Sequence, residues 1–126
     1  MKKIIQTNKA PQAIGPYSQA IEINGSLFVS GQIPVDPATG NVVKEDIIEQ
    51  THQVLKNLSS ILSAAGYSMS DVVKTTCMLS DMANFAAMNS VYAEYFTSEY
   101  PARSTFQVVA LPKGVLVEID AIAMKG

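Results

Sequence analysis

Between two β-type runs, QAIEIN and SLFVSGQI, stands Asn24-Gly25. No other dipeptide in the chain restricts the fold as sharply. Both residues tolerate positive φ, so the pair favours a two-residue type I′ turn whose twist matches the strands it joins. An early antiparallel hairpin excludes an all-helical fold and frames the reading of everything around it.

Upstream, KKIIQ reads as a short strand, and NKAPQAIGPYS, with its two prolines and a glycine, is an irregular loop of the kind that carries function. Downstream, VDPATGN is turn chemistry. From Asp46 the apolar spacing changes to Ile47, Val54, Leu58, Ile61 and Ala65, flanked by Ile48, Leu55 and Leu62, which predicts an amphipathic helix ending at Gly66. DVVKTTCMLS is rich in β-branched residues and predicts a strand. Asp81 is placed to cap a second helix with Phe85, Met88, Tyr92 and Phe96 on one stripe. RSTFQVVAL and VLVEIDAIAM then predict two more strands, paired as a hairpin through Pro112-Lys113-Gly114. This order is neither a strict βαβ alternation nor all-β. It predicts an α+β domain over residues 1–126, with a mixed or antiparallel sheet and both helices on one face.

Helices on one face leave the other face open. The last strand is apolar on both sides, with Leu116, Ile122 and Met124 on one and Val115, Val117 and Ile119 on the other. Burial against further copies of the chain is the natural outcome, so a closed homo-oligomer is expected. Nine Lys+Arg against 11 Asp+Glu give a formal charge of -2, which supplies no basic field for nucleic acid or an anionic membrane. No stretch approaches the roughly 18 apolar residues of a membrane span, and the N-terminus lacks the apolar run of a signal peptide, so a cytoplasmic location is expected. Cys77 is the only cysteine and His52 the only histidine, which removes Ser-His-Asp and Cys-His chemistry and nearly every zinc site. No dinucleotide, phosphate-loop or metal signature is present, and no cofactor is expected.

Chemistry must then rest on arginine, carboxylates, hydroxyls, amides or backbone. In YPARSTF, strand phase sends Arg103, Thr105 and Gln107 to one face. Glu118 and Asp120 share one face of the last strand, and carboxylates at i and i+2 in an apolar strand need a partner to offset desolvation. Arg103 on the adjacent hairpin strand is one candidate. Two readings use these residues: a structural ion pair, or an arginine fork that holds a substrate carboxylate while Glu118 orients or deprotonates water. Asn89 falls on the buried helical stripe, where an amide bonded to backbone is the simpler account. Tyr17 either closes a pocket with its hydroxyl or packs. Gly31 either lets backbone approach a ligand or marks a bulge. Cys77, mid-strand, reads as an inert buried thiol, and His52 as solvent-facing.

Taken together, AIGPYSQA, SGQIPVDPATG, AAGYSMSDVVK, MNSVYAEYF and YPARSTFQVVALPKGVLVEIDAIA resemble the RidA family, also called YjgF, over nearly the whole chain. The resemblance implies a chorismate-mutase-like six-stranded mixed sheet backed by two helices, assembled as a homotrimer around a central barrel with clefts between subunits. It further implies hydrolysis of 2-iminobutanoate and 2-iminopropanoate, released by pyridoxal-phosphate dehydratases, to 2-oxo acids and ammonia. Matched position by position, Arg103 corresponds to the arginine that grips the substrate carboxylate, Tyr17 to the tyrosine bordering the pocket, and Glu118 to the carboxylate near the attacking water. Asn89, Ser30, Gly31 and Thr105 match positions lining the cleft. The chain departs from the family pattern at Thr105, where many members carry cysteine, and at Phe106-Gln107, where Val-Glu is frequent. A second reading of the resemblance is a ligand-sensing regulatory or chaperone-like trimer that binds 2-oxo acids without turnover.

Overall fold

Asn24 and Gly25 both adopt positive φ, 50° and 79°. They pivot β2 (Ala20–Ile23) onto β3 (Ser26–Gln32) in antiparallel register, with Ile23 opposite Ser26. β1 (Lys3–Ile5) adds to the outer side of β2. The structure is a computed structural model describing residues 1–126.

α1 (Ile47–Ala64) starts where Asp46 accepts a 2.9 Å hydrogen bond from the Ile48 N–H, and it stops at Gly66, whose φ of 81° is open to glycine at little cost. Its apolar stripe, Val54, Leu55, Leu58, Ile61 and Leu62, is fully buried, each side chain contributing about 1.5–3 kcal/mol of transfer free energy. β4 (Val72–Leu79) follows. Asp81 caps a single 3₁₀ turn, Met82–Asn84, and that turn runs on into α2 (Phe85–Tyr95). β5 (Ala102–Gln107) and β6 (Val117–Met124) complete six strands ordered β1-β2-β3-β6-β4-β5.

That order corrects the expected terminal hairpin. β6 inserts between β3 and β4, antiparallel to both, and β5 lies beyond β4 and parallel to it. The reason is the crossover: α2 returns the chain to the same end of the sheet from which β4 began, so β5 must run parallel to β4. The connection through Pro112-Lys113-Gly114 then carries the chain across β4 to the vacant edge of β3. The sheet is therefore mixed, with both helices on one face, as the pattern of elements predicts.

Alternation along β6 divides its two faces. Val117, Ile119, Ala121 and Ala123 are buried in the core with Leu27, Val29, Leu79 and the helices. Glu118, Asp120, Ile122 and Met124 lie on the open face with Phe28 and Phe106, and Phe28 and Phe106 each remain 45% exposed.

Candidate functional site

β5 sits in register with β4 so that Arg103 is opposite Thr75 and Thr105 opposite Cys77. All four side chains point toward the helices. Over Arg103, α2 presents Phe85, Asn89 and Tyr92, spaced i, i+4 and i+7 on one stripe. Arg103 Nη1 donates a 2.8 Å hydrogen bond to Asn89 Oδ1, and its Cζ lies 4.7 Å from the Tyr92 ring centroid and 5.6 Å from that of Phe85. A groove of about 420 Å³ opens beside it, lined by Asn89, Tyr92, Ala93, Tyr100, Pro101 and Arg103. The chain's one ion pair is Lys44–Glu49, so Arg103 is half-buried with no carboxylate partner. Asn89 is thus bonded to the guanidinium and not to backbone as expected.

Thr105 Oγ1 is buried and lacks a hydrogen-bond partner. Across the strand pair it faces Cys77, whose sulfur is a weak hydrogen-bonding group. Burial pushes the Cys77 thiol up to about 11, against the opposing pull of the Arg103 charge and the Thr105 and Thr75 hydroxyls. The thiol is inert at neutral pH, in agreement with the sequence reading.

The second group of residues lies on the open face. The β3–β6 register shifts between Val29 and Gln32, a bulge that brings the Gly31 backbone against the Glu118 side chain. A Cβ at residue 31 would overlap Glu118 Oε2 and sit 2.9 Å from its Cδ, so only glycine leaves room for this carboxylate. Of the two sequence readings of Gly31 the bulge is present, and the group admitted by its missing side chain is Glu118. Burial, and then the charge of Asp120, raises the Glu118 pKa above its ordinary 4.5. Ser30 anchors the preceding loop, its hydroxyl donating to the Ser18 carbonyl at 2.6 Å and its N–H to that of Gln19 at 2.9 Å. Tyr17, 54% exposed, borders a groove of about 640 Å³ together with Gly31, Gln32, Ile33 and Lys113.

Gln19 holds that loop. Its amide oxygen accepts from the Thr7 N–H at 2.7 Å, and its amide nitrogen donates to the carbonyls of Thr7, Ala10 and Pro11 at 3.0, 3.4 and 2.8 Å. The NKAPQAIGPYS segment is irregular in its backbone yet tightly held.

The predicted residues thus form two clusters. Arg103, Asn89 and Thr105 meet on the helix side at the β5 edge, while Tyr17, Ser30, Gly31 and Glu118 meet on the open side near the end of β3. The expected pairing of Arg103 with Glu118 or Asp120 does not form, because β4 separates β5 from β6 and the side chains leave opposite faces of the sheet. His52, expected to face solvent, is half-exposed, and its Nδ1 lies 2.9 Å from the Tyr95 hydroxyl, joining α1 to α2. No group of three or more His, Cys, Asp and Glu side chains converges on a common point, and no helix is long and apolar enough to cross a membrane. Sequence reasoning assigned Phe85 and Tyr92 to the core stripe and passed over Thr75. The signal was an amide between two aromatics on one helical face.

The family model described as Endoribonuclease L-PSP matches residues 7–125. A RutC family protein of Pyrococcus horikoshii is 58% identical over 125 residues, covering 99% of each chain. The 2-iminobutanoate/2-iminopropanoate deaminase of Mus musculus is 48% identical over 126 residues, covering 100% of this chain and 93% of its own. Among solved structures, a member of the conserved Rid protein family from Yersinia pestis superposes with a TM-score of 0.97 at 52% identity, covering 99% of this chain and 100% of that one.

Proposed function

The chain belongs to the endoribonuclease L-PSP family, also known as the YjgF or RidA family, and from that premise we propose that it hydrolyses short 2-imino acids to 2-oxo acids and ammonia. The observation that carries this reading is Arg103: a half-buried guanidinium, oriented by Asn89 and two aromatic rings, with no carboxylate in its own chain to neutralise it. Such a group is set to take a carboxylate from a ligand. Thr105 Oγ1, buried without a partner beside it, is a further polar atom that a ligand oxygen or nitrogen would satisfy.

Catalysis on this reading needs both clusters, and in one chain they lie on opposite faces. We therefore propose a homotrimer in which the β5 edge of one copy meets the Tyr17–Gly31–Glu118 cluster of the next. Two features support it: β5 is an edge strand with an unpaired side, and Phe28, Phe106 and Met124 leave the open face apolar. Arg103 would bind the imino acid's carboxylate and fix its C2 against the neighbouring Glu118. Water adds to C2 while Glu118 takes its proton and passes it to the nitrogen. Collapse of the carbinolamine expels ammonia and leaves the 2-oxo acid. The raised pKa of Glu118 suits a group that must both accept and return a proton. The C=N carbon is already electrophilic, so positioning and charge complementarity suffice for the step. The cellular role would be to limit damage by these intermediates to pyridoxal-phosphate enzymes.

A ribonuclease activity, which the family description names, finds less support, since the charge is -2 and the one histidine is bonded to Tyr95. Sensing without turnover would need only the Arg103 cluster. The test couples a threonine dehydratase to semicarbazide, which traps the free imine. Wild-type protein should lower the semicarbazone yield, and Arg103→Ala and Glu118→Gln should not. An unchanged semicarbazone signal with wild-type protein sinks the enzyme reading, and 2-oxobutanoate binding without turnover would leave the sensor. Light scattering that returns the 13.5 kDa monomer mass at micromolar concentration would remove the trimer.

A further inference from the structure

Arg103 and Thr75 occupy one rung of the β4–β5 pair, and α2 lies across both. Thr75 is fully buried, and its hydroxyl makes a 2.7 Å hydrogen bond with the hydroxyl of Tyr92. Tyr92 is itself only 5% exposed, and its ring packs on Phe96 at a centroid distance of 4.6 Å. The Arg103 guanidinium lies over this same clamped ring. Burial raises the Tyr92 pKa and keeps the phenol neutral, able to serve as the donor or acceptor that Thr75 requires.

An arginine side chain has several rotatable bonds and considerable rotamer entropy, so its fork becomes a directional site only if something fixes the plane. Asn89 takes one of the five N–H donors and defines one edge of the plane, leaving four for a ligand. One hydrogen bond still allows rotation about its own axis. A ring face at 4.7 Å removes that freedom by favouring a guanidinium stacked along it, within the distance at which a cation is attracted to an aromatic face. The ring can do so only because Thr75 and Phe96 hold it.

We propose that Tyr92 is a positioning residue for Arg103: the Thr75–Tyr92 hydrogen bond fixes the ring on which the guanidinium lies, and thereby aims its free donors into the groove as a fork for a ligand carboxylate. The proposal rests on the reading of Arg103 as a carboxylate anchor. A residue that only fills the core would affect stability and leave carboxylate affinity per folded molecule unchanged.

The test is calorimetric titration of the assembled protein with 2-oxobutanoate, alongside imine turnover and thermal unfolding. Tyr92→Leu, which keeps an apolar filler but removes the ring, should weaken 2-oxobutanoate binding roughly tenfold and raise KM in step, with kcat nearly unchanged. Tyr92→Phe and Thr75→Val each cut the tether while keeping the ring, so both should weaken binding by a smaller and similar factor, and the double variant should be no weaker than either. If Tyr92→Leu fails to fold, the tether variants carry the test alone. Wild-type binding matched by equal affinity in Tyr92→Phe, Thr75→Val and any folded Tyr92→Leu overturns the positioning role and leaves the carboxylate anchor standing. Absence of 2-oxobutanoate binding by the wild type overturns both.

Discussion

Replacing Gly31 with alanine puts a methyl group where the Glu118 carboxylate now lies. The new Cβ would overlap Oε2 and sit 2.9 Å from Cδ and 3.2 Å from Cγ, so the carboxylate has to swing aside. The far end of a glutamate is free to move, and an off-rotamer torsion costs about 0.5–1.5 kcal/mol. Gly31 does not have a positive φ, so alanine can take its backbone conformation and reduces the freedom of the unfolded chain, a gain of about 0.4–1 kcal/mol. The two effects nearly cancel. The melting temperature of Gly31→Ala should stay within roughly 5 °C of wild type. If Glu118 directs the water as proposed, turnover should not survive as well: displacing such a carboxylate by an ångström costs on the order of a hundredfold in rate, equivalent to about 2.7 kcal/mol in the barrier. Semicarbazide competition reports the rate and differential scanning fluorimetry the stability. In a Glu118→Gln background the same alanine should cost little more activity, since the group it displaces is already disabled. Full turnover by Gly31→Ala would refute the placement of Glu118 at the reacting centre, and unfolding by more than about 3 kcal/mol would show that the bulge cannot absorb a methyl group at all.

Further expectations concern the two ionisable or polar groups left unpaired. Glu118 has a folded-state pKa above its unfolded value, so its protonated form favours the native state at acid pH, and that contribution is lost as pH rises through the raised value. Glu118→Gln should therefore be more stable than wild type at neutral pH and equal to it below the ordinary carboxylate range, and urea titrations at several pH values that show a constant difference would contradict this. Thr105→Val removes a buried hydroxyl that has no partner, so stability should be unchanged or higher by up to about 1 kcal/mol while 2-oxobutanoate binds several-fold more weakly. A less stable variant of unchanged affinity would show that the hydroxyl is structural.

How much of this was legible in the sequence depended on the range of each signal. Asn24-Gly25, Asp46 and Gly66 act within a few residues of themselves, and the hairpin and the α1 boundaries they predict are where the chain places them, whereas Asp81 caps the 3₁₀ turn that precedes α2. Strand phase is also local, and it correctly grouped Arg103 with Thr105, and Glu118 with Asp120. Neighbour order is not local. That β6 sits beside β3 and β4 follows from how a crossover closes over a half-built sheet, and nothing in VLVEIDAIAM or PKG encodes it. The Arg103–Glu118 pair failed because β4 stands between their strands and because the two side chains leave opposite faces of the sheet. Asn89 was misread because a buried amide on an apolar stripe has two accounts, backbone or side-chain partner, and the partner came from a strand 14 residues away.

The placement of β6 has a consequence for synthesis. It is the last of the sheet's six strands in chain order and the only one hydrogen-bonded to both halves of the sheet, β1–β3 on one side and β4–β5 on the other. Until residues 117–124 leave the ribosome, β3 and β4 each present an unpaired inner edge, and the two halves share no strand pairing. A nascent chain stalled or cut short just before this point would hold both helices and five of the six strands yet offer two sticky edges to other chains. Closure waits for residues 117–124, and β6 acts as the keystone that joins two open-edged halves into one sheet.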